Sequence, residues 1–345
     1  MKRQWLDGVI NLLLAVASLG FCLLVLEIAC RIFPLVGDRE LRINDPYYYV
    51  ETIGQVRHHV PFYTYRERIP TRFDTRGYYA PSGGVVSFHS NQFGARWIKP
   101  TDQDVADSSV FVVGDSFTYG HALHYEDAFI YRVQEHLGQQ GRRVSFLNFA
   151  ERGADSRQVL ATYLRFQSSV RHNVVLYGLH VNDLVNFSTS SAITNLLAVP
   201  WLVQRSKGFY FLTESIEKHW FREYKIGRMT SPSRFTKGFF TENLDAILKL
   251  RDATEQHHAR FIVVVLPILL DIEKGTFNPL YRGIEARLAE HGIDYVDLTG
   301  NLKGHREEDL WVLPFDQHPN NTANEIFAEG LLDEFETGHL LPVGS

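Results

Sequence analysis

Residues 111–120 read FVVGDSFTYG and join an apolar run to a helical pattern. The apolar run 110–113 is typical of a buried strand, and it stops at Gly114-Asp115-Ser116, where a helical pattern begins. In an open α/β sheet, ligands bind in the crevice beyond the carboxyl ends of the strands. A serine on such a turn lies beside the N–H groups that open the next helix, and these favour a developing negative charge. Ser116 is therefore a candidate nucleophile, and the alternative is that it only caps the helix.

Strand and helix patterns alternate from residue 110 onward. Such a βαβ rhythm predicts a mostly parallel sheet with helices on both faces. Continuous apolar runs such as 261–266 suit strands that are buried on both faces. The predicted strands are 110–115, 144–149, 173–179, 260–267 and 294–298, and the predicted helices are 127–138, 156–168, 241–258, 279–291 and 322–336.

Two of the predicted strands are followed by residues that can donate hydrogen bonds to a substrate. Gly153 follows the second strand, where a glycine lets a loop bring its backbone N–H close to a ligand. Asn182 follows the third strand and offers a side-chain amide, while His180 is interpreted as a packing or hydrogen-bonding residue. The alternatives are an ordinary turn glycine at 153 and an Asx turn at 182.

Asp316 and His318 form a candidate pair near the C-terminus. Pro319 biases His318 away from helical angles, so this segment is predicted to be extended. Residues two apart in an extended segment project to the same side, which lets Asp316 approach the imidazole and fix its tautomer. The other ring nitrogen would then face outward as a base. The alternative is a chance pair, because the chain holds 15 histidines. A capping box of Thr322 and Glu325 is predicted to open the last helix.

The order of these residues along the chain resembles the SGNH or GDSL hydrolase superfamily over roughly residues 91–336. The matching positions are Gly114-Asp115-Ser116 with Gly120 (first block), Gly153 (second), Gly178 with Asn182-Asp183 (third) and Asp316 with His318 (fifth). Phe117 stands where the name of the family has leucine. The four blocks together indicate the superfamily, but they do not indicate the substrate.

The resemblance implies an α/β fold, a flavodoxin-like three-layer sandwich whose parallel sheet has the strand order 2-1-3-4-5. It also implies ester hydrolysis through a covalent acyl-enzyme, with Ser116 as nucleophile, His318 as general base and then general acid, and Asp316 orienting His318. The Ser116 N–H, the Gly153 N–H and the Asn182 amide would form the oxyanion hole. No cofactor and no metal are expected.

The N-terminal part of the chain has the composition of a membrane anchor. Lys2 and Arg3 precede an apolar stretch from Gly8 to Leu26. As a helix of about 19 residues, this stretch would span roughly 28 Å, enough to cross a bilayer core. The basic residues predict a cytoplasmic N-terminus, a single pass through the inner membrane, and a main domain that faces the periplasm or the exterior. A cleaved signal peptide is the alternative.

The predicted organisation has an anchor at 1–34, a lead-in segment at 35–108 that packs on the main domain, and a hydrolase-like domain at 109–340. Within the lead-in, only residues 84–90 show the alternation of apolar and polar residues that predicts a strand. An insertion rich in aromatic residues interrupts the main domain at 186–240. Residues 201–240 of this insertion include eight Lys or Arg and three Asp or Glu. We interpret the insertion as a helical subdomain with a solvated basic face, or as a lid that meets an anionic glycan or the membrane surface.

Composition and motifs exclude several classes of protein. The net charge of −5 argues against a general nucleic-acid binder. Cys22 and Cys30 both lie in the predicted anchor, which leaves no cysteine for a disulfide framework or a metal cluster elsewhere. Gly114-Asp115-Ser116 lacks the Gly-Lys-Ser/Thr cradle of a P-loop.

The sequence therefore predicts a serine ester hydrolase that removes O-acyl groups, above all acetyl, from a glycan or lipid of the cell envelope. Two alternatives stay open. One is an O-acyltransferase that modifies an exported polysaccharide with the same triad. The other is a catalytically silent, membrane-anchored protein that binds glycans or assists their assembly.

Overall fold

A computed structural model describes residues 2–32, 59–69, 74, 76–99, 108–184, 206, 208, 211–212, 239–313 and 316–336. The chain divides into two compact units, one with residues 1–40 and 188–227 and the other with residues 41–187 and 228–345. The strands of the described ranges all belong to the second unit.

Helix α1 (Lys2–Ile32) belongs to the first unit and carries the apolar N-terminal stretch. Its part Gly8–Ile32, 25 residues long, is apolar enough to cross a membrane, and none of its most apolar window is buried. At about 1.5 Å per residue this helix measures roughly 38 Å, longer than the hydrocarbon core of a bilayer. Both cysteines, Cys22 and Cys30, lie on this helix. The predicted apolar helix is confirmed, and its orientation and retention stay predictions.

Glu27 of α1 contacts residues of the predicted insertion. Its Oε2 accepts hydrogen bonds from Ser206 Oγ and from the Gly208 N–H, both 2.8 Å long. Most of the insertion at 186–240, with its predicted helical subdomain, basic face and lid, lies outside the described residues.

One eight-stranded sheet forms the centre of the second unit. Its strands are β1 (Thr64–Arg68), β2 (Val85–Ser90), β3 (Arg96–Trp97), β4 (Ser108–Gly114), β5 (Val144–Asn148), β6 (Val174–His180), β7 (Arg260–Leu266) and β8 (Asp294–Asp297). Their order across the sheet is β1-β2-β3-β5-β4-β6-β7-β8. Strands β4 to β8 pair in parallel, and among themselves they have the predicted order 2-1-3-4-5. The predicted fold class is confirmed.

Helices cover both faces of the parallel part. Phe146 of β5 packs edge-on against Phe335, and Phe111 of β4 packs edge-on against Tyr163. Phe146 is in register with Val110, the neighbour of Phe111, so the two phenylalanines point to opposite faces. The result is a three-layer arrangement. The α-helices that the structure describes in the second unit are α2 (Ser116–Tyr119), α3 (Phe129–Gln139), α4 (Ser156–Phe166), α5 (Phe239–Gln256), α6 (Asn278–Glu290) and α7 (Asn321–Glu336).

The lead-in segment adds strands to the same sheet. β1, β2 and β3 are antiparallel, and β3 joins β5 through the pair Arg96 and Asn148. The predicted alternation in β2 is present, with Val86 and Phe88 buried in a cluster that also contains Tyr119 of α2. Three strands therefore link the lead-in to the nucleophile turn, where sequence patterns predicted one strand. The domain boundary at residue 108 stays a prediction.

A small two-stranded sheet, β9 (Trp311–Leu313) with β10 (Asp316–Pro319), precedes the last helix. The extended conformation predicted for residues 316 to 318 is present in β10. The predicted capping box is wrong, because α7 begins at Asn321 and Asn320 Oδ1 accepts the Ala323 N–H at 3.0 Å. Thr322 lies inside the first turn of α7.

Candidate active site

Ser116 lies where β4 ends and α2 begins. The side chain of Asp115 accepts a hydrogen bond from the Phe117 N–H, 2.9 Å long, and Asp115 is the N-cap of α2. The alternative prediction, that Ser116 caps this helix, is therefore wrong. Ser116 is the first helical residue and is buried.

Close packing holds this turn against the neighbouring strand β6. Thr118 Oγ1 donates to the carbonyl of Gly178 at 3.2 Å. A Cβ atom at Gly114 or at Gly178 would overlap the Thr118 side chain. The two glycines therefore let α2 approach the sheet, and any larger residue at either position would displace the nucleophile turn.

A Schellman motif closes α2. Gly120 has a φ of 77°, a conformation that favours glycine, and its N–H donates to the Phe117 carbonyl. The N–H of His121 donates to the Ser116 carbonyl at 3.0 Å. Because this bond returns the chain to the first turn of the helix, His121 lies close to the nucleophile.

His318 contacts both Ser116 and Asp316. Its Nε2 lies 2.9 Å from Ser116 Oγ, and its Nδ1 lies 2.5 Å from Asp316 Oδ1. An ionised carboxylate can only accept, so Nδ1 carries the proton and Nε2 is left to accept the serine hydroxyl proton. The structure thus brings the three residues predicted for catalysis into one hydrogen-bonded chain.

Two imidazoles keep Asp316 ionised. Burial alone would raise its pKa, but His318 and His121 hold the pKa of Asp316 well below its ordinary value. His121 Nε2 lies 3.4 Å from Asp316 Oδ2, the carboxylate oxygen that His318 does not contact. An ionised carboxylate stabilises the imidazolium that forms when a histidine accepts a proton.

Asn182 is oriented by two groups on either side of its amide. Its Nδ2 donates to Asp115 Oδ2 at 3.0 Å, and its Oδ1 lies 2.8 Å from His180 Nδ1. The His180 ring stacks on Phe117, with centroids 3.9 Å apart. His180 is therefore a packing and hydrogen-bonding residue, as predicted, and it turns the amide nitrogen of Asn182 toward the nucleophile turn.

Gly153 lies in the turn that follows β5. Its φ of 75° is left-handed, a conformation that favours glycine. Within the described part of the chain, no heavy atom outside residues 152–154 lies within 4 Å of the position of a Cβ at Gly153. The predicted use of its N–H as an oxyanion donor stays a prediction.

Sequence patterns missed the side chains that surround Asp316 on its other side. Arg152 Nη1 lies 2.9 Å from His121 Nδ1 and 3.0 Å from Glu67 Oε2. Arg152 precedes Gly153 and His121 follows Gly120, so both stand beside residues of the family blocks, and that proximity was the available signal. Glu67 lies on β1, in the lead-in, and nothing in the sequence around it indicated a role in the site.

Arg96 of β3 was also missed, although it is buried beneath the nucleophile turn. Its guanidinium donates to the carbonyls of Gly120 and Leu123, both at 2.6 Å, and to the carbonyl of Tyr119. It therefore fixes the segment that leads from α2 to His121.

His121, Asp316 and His318 are the candidate metal ligands of the described residues, with one ligand atom each within 4.8 Å of the others. The two imidazoles, however, face different oxygens of Asp316, at 2.5 and 3.4 Å. The Arg152 guanidinium beside His121 would also repel a cation. Contacts among the three side chains account for the cluster.

Asp183 is a second buried carboxylate in this region. Tyr177 OH and the His180 N–H donate to its Oδ2 at 2.9 and 3.3 Å. Burial, and then the neighbouring Asp115, raise the pKa of Asp183 well above its ordinary value. Asp183 therefore holds a proton in the folded protein at pH values where the unfolded chain has lost it.

We expect Asp183→Asn to be more stable than the wild type at neutral pH. A carboxyl group whose pKa is raised by folding contributes stability at low pH and loses it as pH rises above about 4. Asparagine does not titrate and keeps an oxygen for both donors. In urea unfolding between pH 4 and 8, the free energy of unfolding of Asp183→Asn should rise relative to that of the wild type by up to about 1.4 kcal/mol per pH unit. The rise ends where Asp183 of the folded wild type loses its proton. The exposed Asp333→Asn is the control, and equal stability of Asp183→Asn and wild type at every pH would contradict the prediction.

No protein-family model matches the chain, and no curated protein matches it. Solved structures similar to it include TesA, at 13% identity over 67% of this chain and 99% of TesA, with a TM-score of 0.45. A member of the lipolytic protein G-D-S-L family from Veillonella parvula DSM 2008 is 14% identical over 66% of this chain and 98% of its own, with a TM-score of 0.40. Axe2, an acetylxylan esterase from Geobacillus stearothermophilus, is 14% identical over 69% of this chain and 98% of its own, with a TM-score of 0.44.

One of these neighbours thus carries the name of the family that the sequence resembles. Similarity at this level concerns the fold at most. A function for this chain has to be argued from its own side chains.

Proposed function

We propose that the protein is a serine ester hydrolase that acts through an acyl-enzyme. The observation that carries this proposal is the hydrogen-bonded chain from Ser116 through His318 to Asp316. A serine hydroxyl is a weak nucleophile until an adjacent base takes its proton, and Nε2 of His318 lies 2.9 Å from Oγ. Asp316 on the far side of the ring fixes the tautomer that this transfer needs.

The reaction has two halves. Ser116 Oγ attacks the acyl carbonyl carbon as its proton passes to His318 Nε2, and His318 then gives that proton to the oxygen of the leaving alcohol. A water molecule next attacks the acyl-serine while His318 takes its proton. The proton returns to Ser116 Oγ when the carboxylic acid departs. Asp316 stays ionised throughout and stabilises the imidazolium.

We assign the oxyanion hole to the backbone N–H groups of Ser116 and Gly153 and to the amide of Asn182. The Asn182 amide carries two hydrogens and donates one to Asp115, which leaves a second for the oxyanion. Its orientation is set before substrate binds, and preorganised donors of this kind are each worth about two to three decades of rate.

The proposed substrate is an O-acyl, above all O-acetyl, ester on a glycan or lipid of the cell envelope. The helix Gly8–Ile32 would hold the protein in the cytoplasmic membrane as a single span. Lys2 and Arg3 favour a cytoplasmic N-terminus, which puts the hydrolase domain in the periplasm or the exterior. The excess of basic residues between 201 and 240 suits an anionic surface.

Labelling with a serine-reactive phosphonate tests the nucleophile. We expect mass spectrometry to place the adduct on Ser116, because this hydroxyl has an imidazole at 2.9 Å to take its proton. Ser116→Ala should be unlabelled, and Ser82→Ala, a serine between the lead-in strands, should label like the wild type. An adduct on another residue, with Ser116 unmodified, would remove the assignment.

Acetylated envelope polymers then distinguish the reaction type. Free acetate released by the wild type but not by Ser116→Ala supports hydrolysis. An acetyl group transferred to an added sugar acceptor, with no acetate released to water, would make the protein an O-acyltransferase with the same triad. Neither product, together with an unlabelled Ser116, would indicate the catalytically silent alternative.

A further inference from the structure

Asp316 lies between two imidazoles, and the proposed triad uses only one of them. His318 Nδ1 faces Oδ1 at 2.5 Å, and His121 Nε2 faces Oδ2 at 3.4 Å. The centroids of the two imidazole rings are 4.3 Å apart, and the rings are inclined at 51°. The second imidazole therefore lies close to both the carboxylate and the ring on which proton transfer depends.

The tautomer of His121 is fixed from its far side. Arg152 Nη1 lies 2.9 Å from His121 Nδ1, and a guanidinium can only donate. Nδ1 must therefore accept, and the proton of the neutral ring sits on Nε2, the nitrogen that faces Asp316. His121 is a donor toward Oδ2.

Two groups of β1 hold Arg152 in turn. Glu67 Oε2 accepts from Nη1 at 3.0 Å, and Tyr65 OH accepts from Nη2 at 2.5 Å. The side chains of Arg152 and Glu67 are only 17% and 13% exposed, so solvent screens this ion pair little. A strand of the lead-in is thus connected through Arg152 and His121 to the carboxylate of the triad.

A neutral His121 matters because His318 gains a positive charge during acyl transfer. A second imidazolium, with its ring centroid 4.3 Å away, would oppose that charge. Burial would lower the pKa of His121, but the hydrogen bond and charge of Asp316 raise it above its ordinary value. The Arg152 contact works against protonation, because it occupies the lone pair of Nδ1.

We infer that His121 is a positioning residue: its Nε2–H holds Oδ2 of Asp316 so that Oδ1 stays aligned with His318. Arg152, paired with Glu67, holds His121 in the orientation that does this. The inference rests on the proposed function, since the alignment serves catalysis only if His318 is the base. The 3.4 Å contact is long, and contacts of this kind tighten when charge develops in the occupied site.

His121→Leu and His121→Gln are the matched pair that tests the inference. Their side chains are of similar size, but only glutamine keeps a donor that can reach Asp316 Oδ2. With an activated acetyl ester, we expect His121→Leu to lower kcat roughly ten- to hundredfold with KM within about twofold, because a misplaced base slows chemistry more than binding. His121→Gln should recover most of the lost kcat.

A spectroscopic readout separates this inference from the proposed function. The proton between His318 Nδ1 and Asp316 should give a low-field ¹H NMR resonance, and it can be observed in a Ser116→Ala background that turns over no ester. His121→Leu should move or broaden that resonance, and His121→Gln should leave it near its original position. If the wild type has no esterase activity but the variants still show this pattern, the proposed function is contradicted and the positioning role of His121 is retained.

Arg152→Met supplies the second test. It should lower kcat in the wild-type background but add no further loss in His121→Leu, because its effect passes through His121. His172→Leu is the control, since His172 precedes β6 at the opposite end of the strands and bonds Tyr163 and the Val170 carbonyl. Equal losses in the Leu and Gln variants, or an unmoved resonance in His121→Leu, would overturn the inference. Unfolding temperatures of all variants show whether a loss reflects misfolding.

Discussion

Ser116→Ala is expected to lower kcat toward an activated acetyl ester by about a millionfold while leaving the protein folded. The side chain that is changed is small and buried, and alanine fills nearly the same space. What is lost is the atom that attacks the ester, 2.9 Å from the imidazole that activates it. The measurement is steady-state hydrolysis of the activated ester, with circular dichroism and thermal unfolding to confirm that the fold is intact.

The variants of His318 and Asp316 sharpen this test. His318→Ala should cost about as much as Ser116→Ala, and the double variant no more than either, because a nucleophile and its base act as a unit. Asp316→Asn should cost about four decades, because the amide no longer fixes the productive tautomer. His172→Ala, a histidine outside the site, should turn over ester like the wild type. A Ser116→Ala protein that keeps a tenth of wild-type turnover would contradict the assignment of the nucleophile.

The residues of the candidate triad could be named from the sequence because the order of the motifs along the chain resembles a known family and the local backbone preferences agree with it. The apolar run before Gly114 is typical of a buried strand, which puts Ser116 at the carboxyl end of that strand. Pro319 biases His318 away from helical angles, and in an extended segment Asp316 and His318 project to the same side. Parallel pairing of β4 with β5 and β6 places the ends of these strands at one edge of the sheet, and His318 reaches Ser116 there from β10 of the separate two-stranded sheet.

The N-cap residues of the helices were less predictable, because neighbouring residues have similar preferences for the N-cap position. Asp115 caps α2 where Ser116 was an alternative, and Asn320 caps α7 where Thr322 was predicted. Asp, Asn, Ser and Thr are all good N-caps, so a shift of one or two residues costs little by sequence preference. Tertiary contacts decide which one is used, and sequence periodicity does not report them.

The side chains around Asp316 were unpredictable for another reason. Glu67 and Arg96 belong to antiparallel strands of the lead-in, where hydrophobic periodicity is weak and turn residues are dense. Their partners lie far along the chain: Glu67 meets Arg152, and Arg96 meets residues 119 to 123. Long-range polar contacts of this kind leave no local pattern in the sequence. A buried arginine cannot be distinguished there from an arginine on the surface.

Arg96→Met is expected to lower the free energy of unfolding by about 2–4 kcal/mol. The guanidinium is buried and donates to the carbonyls of Tyr119, Gly120 and Leu123, which close the turn after the nucleophile. A buried acceptor that loses its donor costs about 1–3 kcal/mol. Burial lowers the pKa of Arg96, a sign that its desolvation is unfavourable, so removal of the charge offsets part of this loss.

Three aromatic rings add to the expected loss. The Cζ of Arg96 lies 4.7, 4.5 and 5.1 Å from the ring centroids of Phe88, Tyr119 and Tyr125. A cation over a desolvated ring contributes up to about 2 kcal/mol, and methionine replaces it with a weaker sulfur contact. The segment that these rings and carbonyls enclose leads directly to His121, so kcat should fall together with stability.

Two controls test whether the planar pair of N–H donors of Arg96, and not its positive charge alone, stabilises the protein. Arg96→Lys keeps a positive charge but not the planar pair of N–H groups, and we expect it to rescue little of the stability. Arg287→Met removes an exposed arginine paired with Glu290 and should change the free energy of unfolding by less than about 1 kcal/mol. Urea unfolding of the three variants measures both effects. If Arg96→Met lies within about 1 kcal/mol of the wild type, water must replace the guanidinium at the three carbonyls. The turn after Ser116 would then owe its shape to Gly120 and the Schellman motif alone.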